Sequence, residues 1–416
     1  MEPDLYAITP EERTLIRELA RGTAEIAALP IMAQRRKLWT DHNALRPCRP
    51  LILVFPEGAE RELVPHDTLR CAGKLAASIE RNLRVAIYKH DHFDTDMVIP
   101  NDWAVPKTII NTGWGLTPKW HLSDAKEGAR GFDPVILEYA DLKKLRYPEI
   151  SIDEKDSARH LAFMQELIGD ILKVRQVGIR HIYFQPMQVY TSLRGLEQVM
   201  VDMLDAPEML HEAMAFLEEG YHRRTQQYVD LNLLTLNNDN GYQSTGGVGW
   251  SDQLPAAGFN PSRVRPCDVW ASAESQEMAQ VSPPMHAEFA MQYEARLLAP
   301  FGLNGYGCCE DLTRKLDTVM AMPNMRRISI SPWADVEACA RQLGNRFIFS
   351  WKPHPAHLAQ TFDAAAIRNY IRHALEATRG CVMEMILKDT HTCNNQPQRF
   401  TEWTRIAREE VNRFVG

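Results

Sequence analysis

Two adjacent cysteines, Cys308 and Cys309, close a glycine-rich apolar run in "FGLNGYGCCEDL" (301–312). The residues that follow read as the start of a helix. A strand-to-helix corner of this kind directs side chains into a cleft instead of a packed layer. A thiolate there acts as a nucleophile or as a metal ligand. Glu310 stands two residues further on. A second corner follows another apolar stretch, in "KDTHTC" (388–393), with Asp389, His391 and Cys393. The competing reading is that buried cysteines serve as small core hydrophobes.

Three further segments carry polar groups to the ends of predicted strands. "LNNDNGYQSTGGVGW" (236–250) offers Asn237, Asn238 and Asp239, with Trp250 as a pocket wall. Asn238 and Asp239 are candidate catalytic groups, although Asn, Asp and Gly also make turns for backbone reasons alone. Its glycines are not a phosphate loop, because no Lys-Ser/Thr follows them. "SWKPHPAHL" (350–358) places Lys352 and His354 after a late strand, where they could stabilise developing negative charge. Trp333, like Trp250, is a candidate aromatic pocket wall. "YKHDHFDTDM" (88–97) resembles a metal cluster at first sight. Residues i and i+2 point apart on a helix but share a face on a strand; the segment is read as a solvated polar turn or a pocket rim, with His92 lining the rim.

Positioning these corners requires a regular scaffold. The chain has 416 residues, 45% of them hydrophobic and 24% charged, with a net charge of −7 and eight cysteines. That length suits one elaborated barrel domain spanning 1–416. Residues 1–50 are predicted as an N-terminal helical extension, in which Thr9 caps and Pro10 opens the first helix. "LILVF" (51–55) reads as a buried strand, and residues 125–148 as irregular. From Ser151 onward strands alternate with helices over short connections, which implies a parallel sheet. With about eight strands, the expected fold class is α/β, a (β/α)₈ TIM-type barrel. The acidic balance and the lack of a basic stripe exclude a general nucleic-acid binder. The acidic N-terminus is not a signal peptide, and no apolar run approaches a membrane span. A cytoplasmic location and free thiols are expected.

The order of segments over 151–416 resembles the uroporphyrinogen decarboxylase superfamily. The resemblance is carried by "LRGLEQVMVDMLDAPEMLHEAM", "SPPMHAEFAMQYEARLL" and "ISISPWADVEACARQLGNRFIFSWKPHPAHL". One branch of that family decarboxylates porphyrinogen acetates, using an arginine-rich loop after the first strand. Here that loop is "PEGAERE", with Arg61 among three glutamates, so porphyrinogen binding is not expected. The other branch moves methyl groups to or from a corrinoid, or onto a thiol, with zinc held by His-x-Cys and a later Cys. The resemblance places Cys308 on the family's cysteine and Tyr306 on its histidine, where Tyr306 would contact substrate. It implies a zinc ligand set of Cys308, His391 and Cys393, with Glu310 or solvent as the fourth. It also implies a methyltransferase that takes a methyl group from a small methylated compound to a corrinoid on a separate protein. A cofactor-free decarboxylase or lyase acting on a small non-porphyrin acid is the second expectation, and a non-catalytic binding barrel the third. A homodimer is compatible with all three.

Overall fold

The computed structural model describes residues 5–121 and 131–416. The first part of the expected irregular stretch, 125–130, lies outside the described residues. Seven strands form one parallel sheet: β1 (Leu51–Val54), β2 (Tyr183–Phe184), β3 (Trp270–Ala273), β4 (Leu303–Tyr306), β5 (Met325–Ile330), β6 (Ile348–Trp351) and β7 (Val382–Leu387). Their spatial order is β2-β3-β4-β5-β6-β7-β1. Successive strands are neighbours, and the last returns to the first, with Leu53 opposite Ile386. Four of the strands, β1, β3, β4 and β6, are buried along their whole length, as a parallel sheet covered on both faces requires.

The expected eight-stranded closure is not what the ladder shows. Among the described residues β1 and β2 remain the two edges of the sheet. The predicted strand near Leu233–Leu236 is reduced to one parallel bridge, Ile179 with Leu234. The reason is local. The Asn237 side chain replaces backbone pairing by donating to Arg180 O (2.8 Å) and Trp270 O (3.0 Å) while accepting from Trp270 N (2.9 Å). Beyond it the chain leaves the sheet.

It returns as an antiparallel hairpin, Tyr242–Gln243 against Gly247–Val248. Its turn uses left-handed backbone at Ser244 (φ 52°) and Gly246 (φ 124°). The tip donates from Thr245 Oγ1 to Gly307 O, just beyond β4. The returning arm gives Val248 O to Arg327 of β5 and Gly249 O to the Trp270 indole of β3. Added Cβ atoms at Gly246 and Gly247 would stand 2.5 Å from Ile386 Cγ2 and 2.3 Å from Arg327 Cζ. A segment that touches β3, β5 and β7 together lies on the side that the sheet curls around. The hairpin fills that interior and leaves no room for side chains on its glycines.

Two N-terminal helices precede the sheet: α1 (Pro10–Ala27), closed by a Thr9–Glu12 capping box, and α2 (Pro30–Asn43). The end of α2 enters the same interior. His42 Nε2 lies 3.0 Å from Glu384, and Asn43 Nδ2 donates to Val248 O and Trp250 O. Then α3 (Lys74–His92) packs on α1, and α4 (Ala364–Ala377) pairs with α5 (Gln398–Val415) outside the sheet. The last pair is apolar at its centre, with Phe400, Trp403 and Ile406 fully buried, and is bridged at its rim by Arg368 and Arg372 to Glu410.

Candidate functional site

The carboxyl ends of the parallel strands bring chemistry-bearing groups together. β4 ends in a left-handed Gly307 (φ 93°) and delivers Cys308, Cys309 and Glu310. The Cys308 and Cys309 sulfurs are 3.6 Å apart, and Cys309 Sγ is 3.9 Å from Asp389 Oδ2, beyond β7. Asp389 itself adopts a left-handed φ of 56°. Its N–H donates to Glu57 Oε2 (3.0 Å), from the loop after β1. Lys388 lies within 3.4 Å of Asp389 and 3.9 Å of Glu57, and Tyr242 donates to Glu57 at 3.3 Å.

Electrostatics divides these groups into proton holders and charge holders. Glu310 is 1% exposed. Its Oε2 accepts from Cys308 N at 2.8 Å, while its Oε1 is buried without a partner. Burial, with Glu274 nearby, pushes its pKa up to about 8, so it carries a proton at neutral pH. Burial likewise raises Glu274, after β3, although Gln185 donates to it. Burial opposes the Lys388 charge. The carboxylates Glu57 and Asp389 nevertheless hold it above the ordinary lysine range. Within the thiol pair, the hydrogen bond raises Cys308 and lowers Cys309. Exposed Cys309 is the readier thiolate of the two.

The other candidates are distributed over several places. Lys352 approaches from β6, buried, donating to Ser350 O and Oγ, and burial lowers it to about 7. Tyr306 is fully buried and faces the helical layer, where it donates to Glu294 (2.7 Å) and meets Ser275 (3.1 Å). His354 accepts from Ala356 N and packs edge-on against Trp333, which is 66% exposed. Asn238 donates to Leu254 O. Asp239 pairs with Arg175 and Arg180, and with Trp250 it lines a separate cavity. His92 ends α3, its ring tilted 40° against that of Tyr88 at 4.2 Å.

The zinc set expected from the family resemblance does not fit the arrangement. Cys393 is buried, and its thiol and N–H both donate to Glu62 at 2.9 Å. His391 is exposed, with its carbonyl turned to Arg61. Glu310 is engaged with Cys308 N. Among the described residues no group of three or more His, Cys, Asp or Glu side chains could hold a metal ion.

Sequence reasoning missed Glu57, Lys388, Tyr242 and Glu274. Lys388 had a readable signal, as a lysine that directly follows the apolar run "VMEMIL". Glu57 had none, since "PEGAERE" reads as a solvated loop.

No protein-family model matches the chain, and no curated protein matches it. Among solved structures it is similar to a methyltransferase from Methanosarcina mazei, with a TM-score of 0.52 and 11% sequence identity, over 92% of this chain and 98% of that chain. At that identity the likeness shows a shared α/β fold.

Proposed function

We propose that the chain is an enzyme of the methyltransferase type, moving a methyl group from a small methylated compound to a corrinoid carried by a separate protein. The observation that carries this reading is the acid and thiol cluster at the strand ends: a proton-holding Glu310 beside Cys308 and Cys309, with Lys388 charged nearby. The likeness in fold to a methyltransferase supports it. The corrinoid would supply the methyl acceptor. The residues of this chain have the complementary task. As the carbon–heteroatom bond breaks, the leaving oxygen or nitrogen takes the electron pair and then the proton that Glu310 holds. Lys388 stabilises negative charge developing on that atom. Zinc is a separate proposal, because the side chains as placed do not gather around one. Elemental analysis of protein purified without added metal decides it, with about one zinc per chain, lost in Cys308→Ser, as the supporting result.

The test of the main reading mixes the enzyme with a reduced corrinoid protein and a panel of methoxylated and methylamine compounds. Conversion of the cobalt spectrum to its methyl form, abolished in Glu310→Gln, is expected. Full turnover by the enzyme alone would replace this reading with a lyase, which the same protonated carboxyl would also serve.

A further inference from the structure

A cavity of about 480 Å³ lies away from the cysteine corner. The hairpin that fills the sheet interior separates the two places: its tip meets Gly307 O, while Asp239, Asn240 and Trp250 flank its base and line the cavity. Four cations face this space, Arg36, Lys173, Arg175 and Arg180, against two carboxylates, Asp102 and Asp239. Those carboxylates are already engaged. Arg175 Nε pairs with Asp102 at 2.5 Å and its Nη2 with Asp239 at 3.0 Å, and Arg180 also holds Asp239. Arg36 and Lys173 form no ion pair among the described residues, and Arg180 Nε is buried with no hydrogen-bond partner. Val98, Pro100, Ala104 and Trp250 give the lining an apolar part, and the Arg36 guanidinium lies over the Trp250 ring, 5.9 Å from its centroid.

We infer that this cavity is a binding site for a small dianion bearing a flat or apolar group, a phosphomonoester being the fitting class. Two unpaired cations match the two charges of a phosphomonoester. Arginine and lysine together supply directional and point-charge recognition of its oxygens. The volume falls within the ordinary range for small-molecule sites, and the Trp250 wall takes the organic portion. Burial lowers Arg180 from its ordinary value, so a bound anion would also relieve the cost of its charge.

Titration calorimetry of the full chain with phenyl phosphate tests the site. One saturable site is expected, weakened by added salt, with inorganic phosphate binding less tightly and neutral benzyl alcohol not at all. The double variant Arg36→Gln/Lys173→Gln breaks no ion pair and gives up only the Arg36–Trp250 contact, so it should melt close to the wild type, and it should bind phenyl phosphate at least tenfold more weakly. Absence of saturable binding to the wild type, equal binding by the variant, or equal binding of benzyl alcohol would overturn the assignment.

Discussion

Cys308 and Cys309 are neighbours in the chain but not equivalents. The first is part-buried and the second exposed, and the contact between them raises the first thiol and lowers the second. Iodoacetamide at neutral pH should therefore label Cys309 first, as read by peptide mass spectrometry. Cys308→Ala should slow that labelling by removing the neighbouring thiol whose hydrogen bond lowers Cys309. Faster labelling of Cys308 would reverse the assignment. Glu310 gives a second outcome at this scale. Its donor form persists up to about pH 8, so kcat/KM should fall as pH rises through that value. Glu310→Gln should remove that limb and lower the rate by about 10²–10⁴-fold, the usual range for general acids. The stability sign follows from the same shift. The folded state holds the Glu310 proton more tightly than the unfolded chain, so this group's contribution is complete below pH 4.5 and is lost as pH rises towards about 8. An unchanged slope of melting temperature against pH between those values in Glu310→Gln would contradict it.

At the scale of elements, the interior hairpin explains a segment whose sequence reads as turn chemistry. Gly249 needs no unusual φ, yet an added Cβ would lie 1.9 Å from Asn237 O, a backbone atom. Gly249→Ala should destabilise by about 1–3 kcal/mol, the common cost of overpacking. Gly22→Ala is the contrasting substitution. Gly22 sits inside α1 with Ile87 Cδ1 at an ordinary 3.6 Å, so alanine should stabilise by about 0.5–1 kcal/mol through helix propensity. Chemical denaturation of both variants checks the opposite signs. The strand–helix rhythm from β4 to α5 was legible because its strands are short runs bounded by turn residues and its helices amphipathic, whereas β3, "WASA", was too short and too poor in large apolar residues to be read. The hairpin was not, because alternation and propensity say nothing about which side of a sheet a glycine-rich loop enters. Asp239 shows the same limit: its type suggested catalysis, and its partners Arg175 and Arg180 are 64 and 59 residues away in sequence. Cys393 shows it again, since its partner Glu62 lies 331 residues upstream.

Across the whole molecule, one buried network joins the first helices to the last strand. Glu384 of β7 lies 2.9 Å from Arg327 Nε of β5 and 3.0 Å from His42 Nε2 at the end of α2, and all three are fully buried. Arg327 also donates to Asn43 and to Val248 O of the hairpin. Burial opposes the Glu384 charge, but Arg327 and His42 overcome it and hold the carboxyl far below its usual range. Removing one partner leaves an uncompensated buried charge. Arg327→Met should thus cost about 3–5 kcal/mol, whereas Arg327→Met/Glu384→Met should recover much of that loss. Because the folded pKa is depressed, the stability from Glu384 is full above pH 4.5 and is lost as pH falls below it towards the folded value. The double variant should therefore melt with less dependence on pH between 4.5 and 3 than the wild type does. The network also ties β1 to β7 across the chain's full length, since α2 leads directly into β1. If the double variant proves as unstable as Arg327→Met alone, the network is not a compensated charge pair and its role lies in packing around the hairpin.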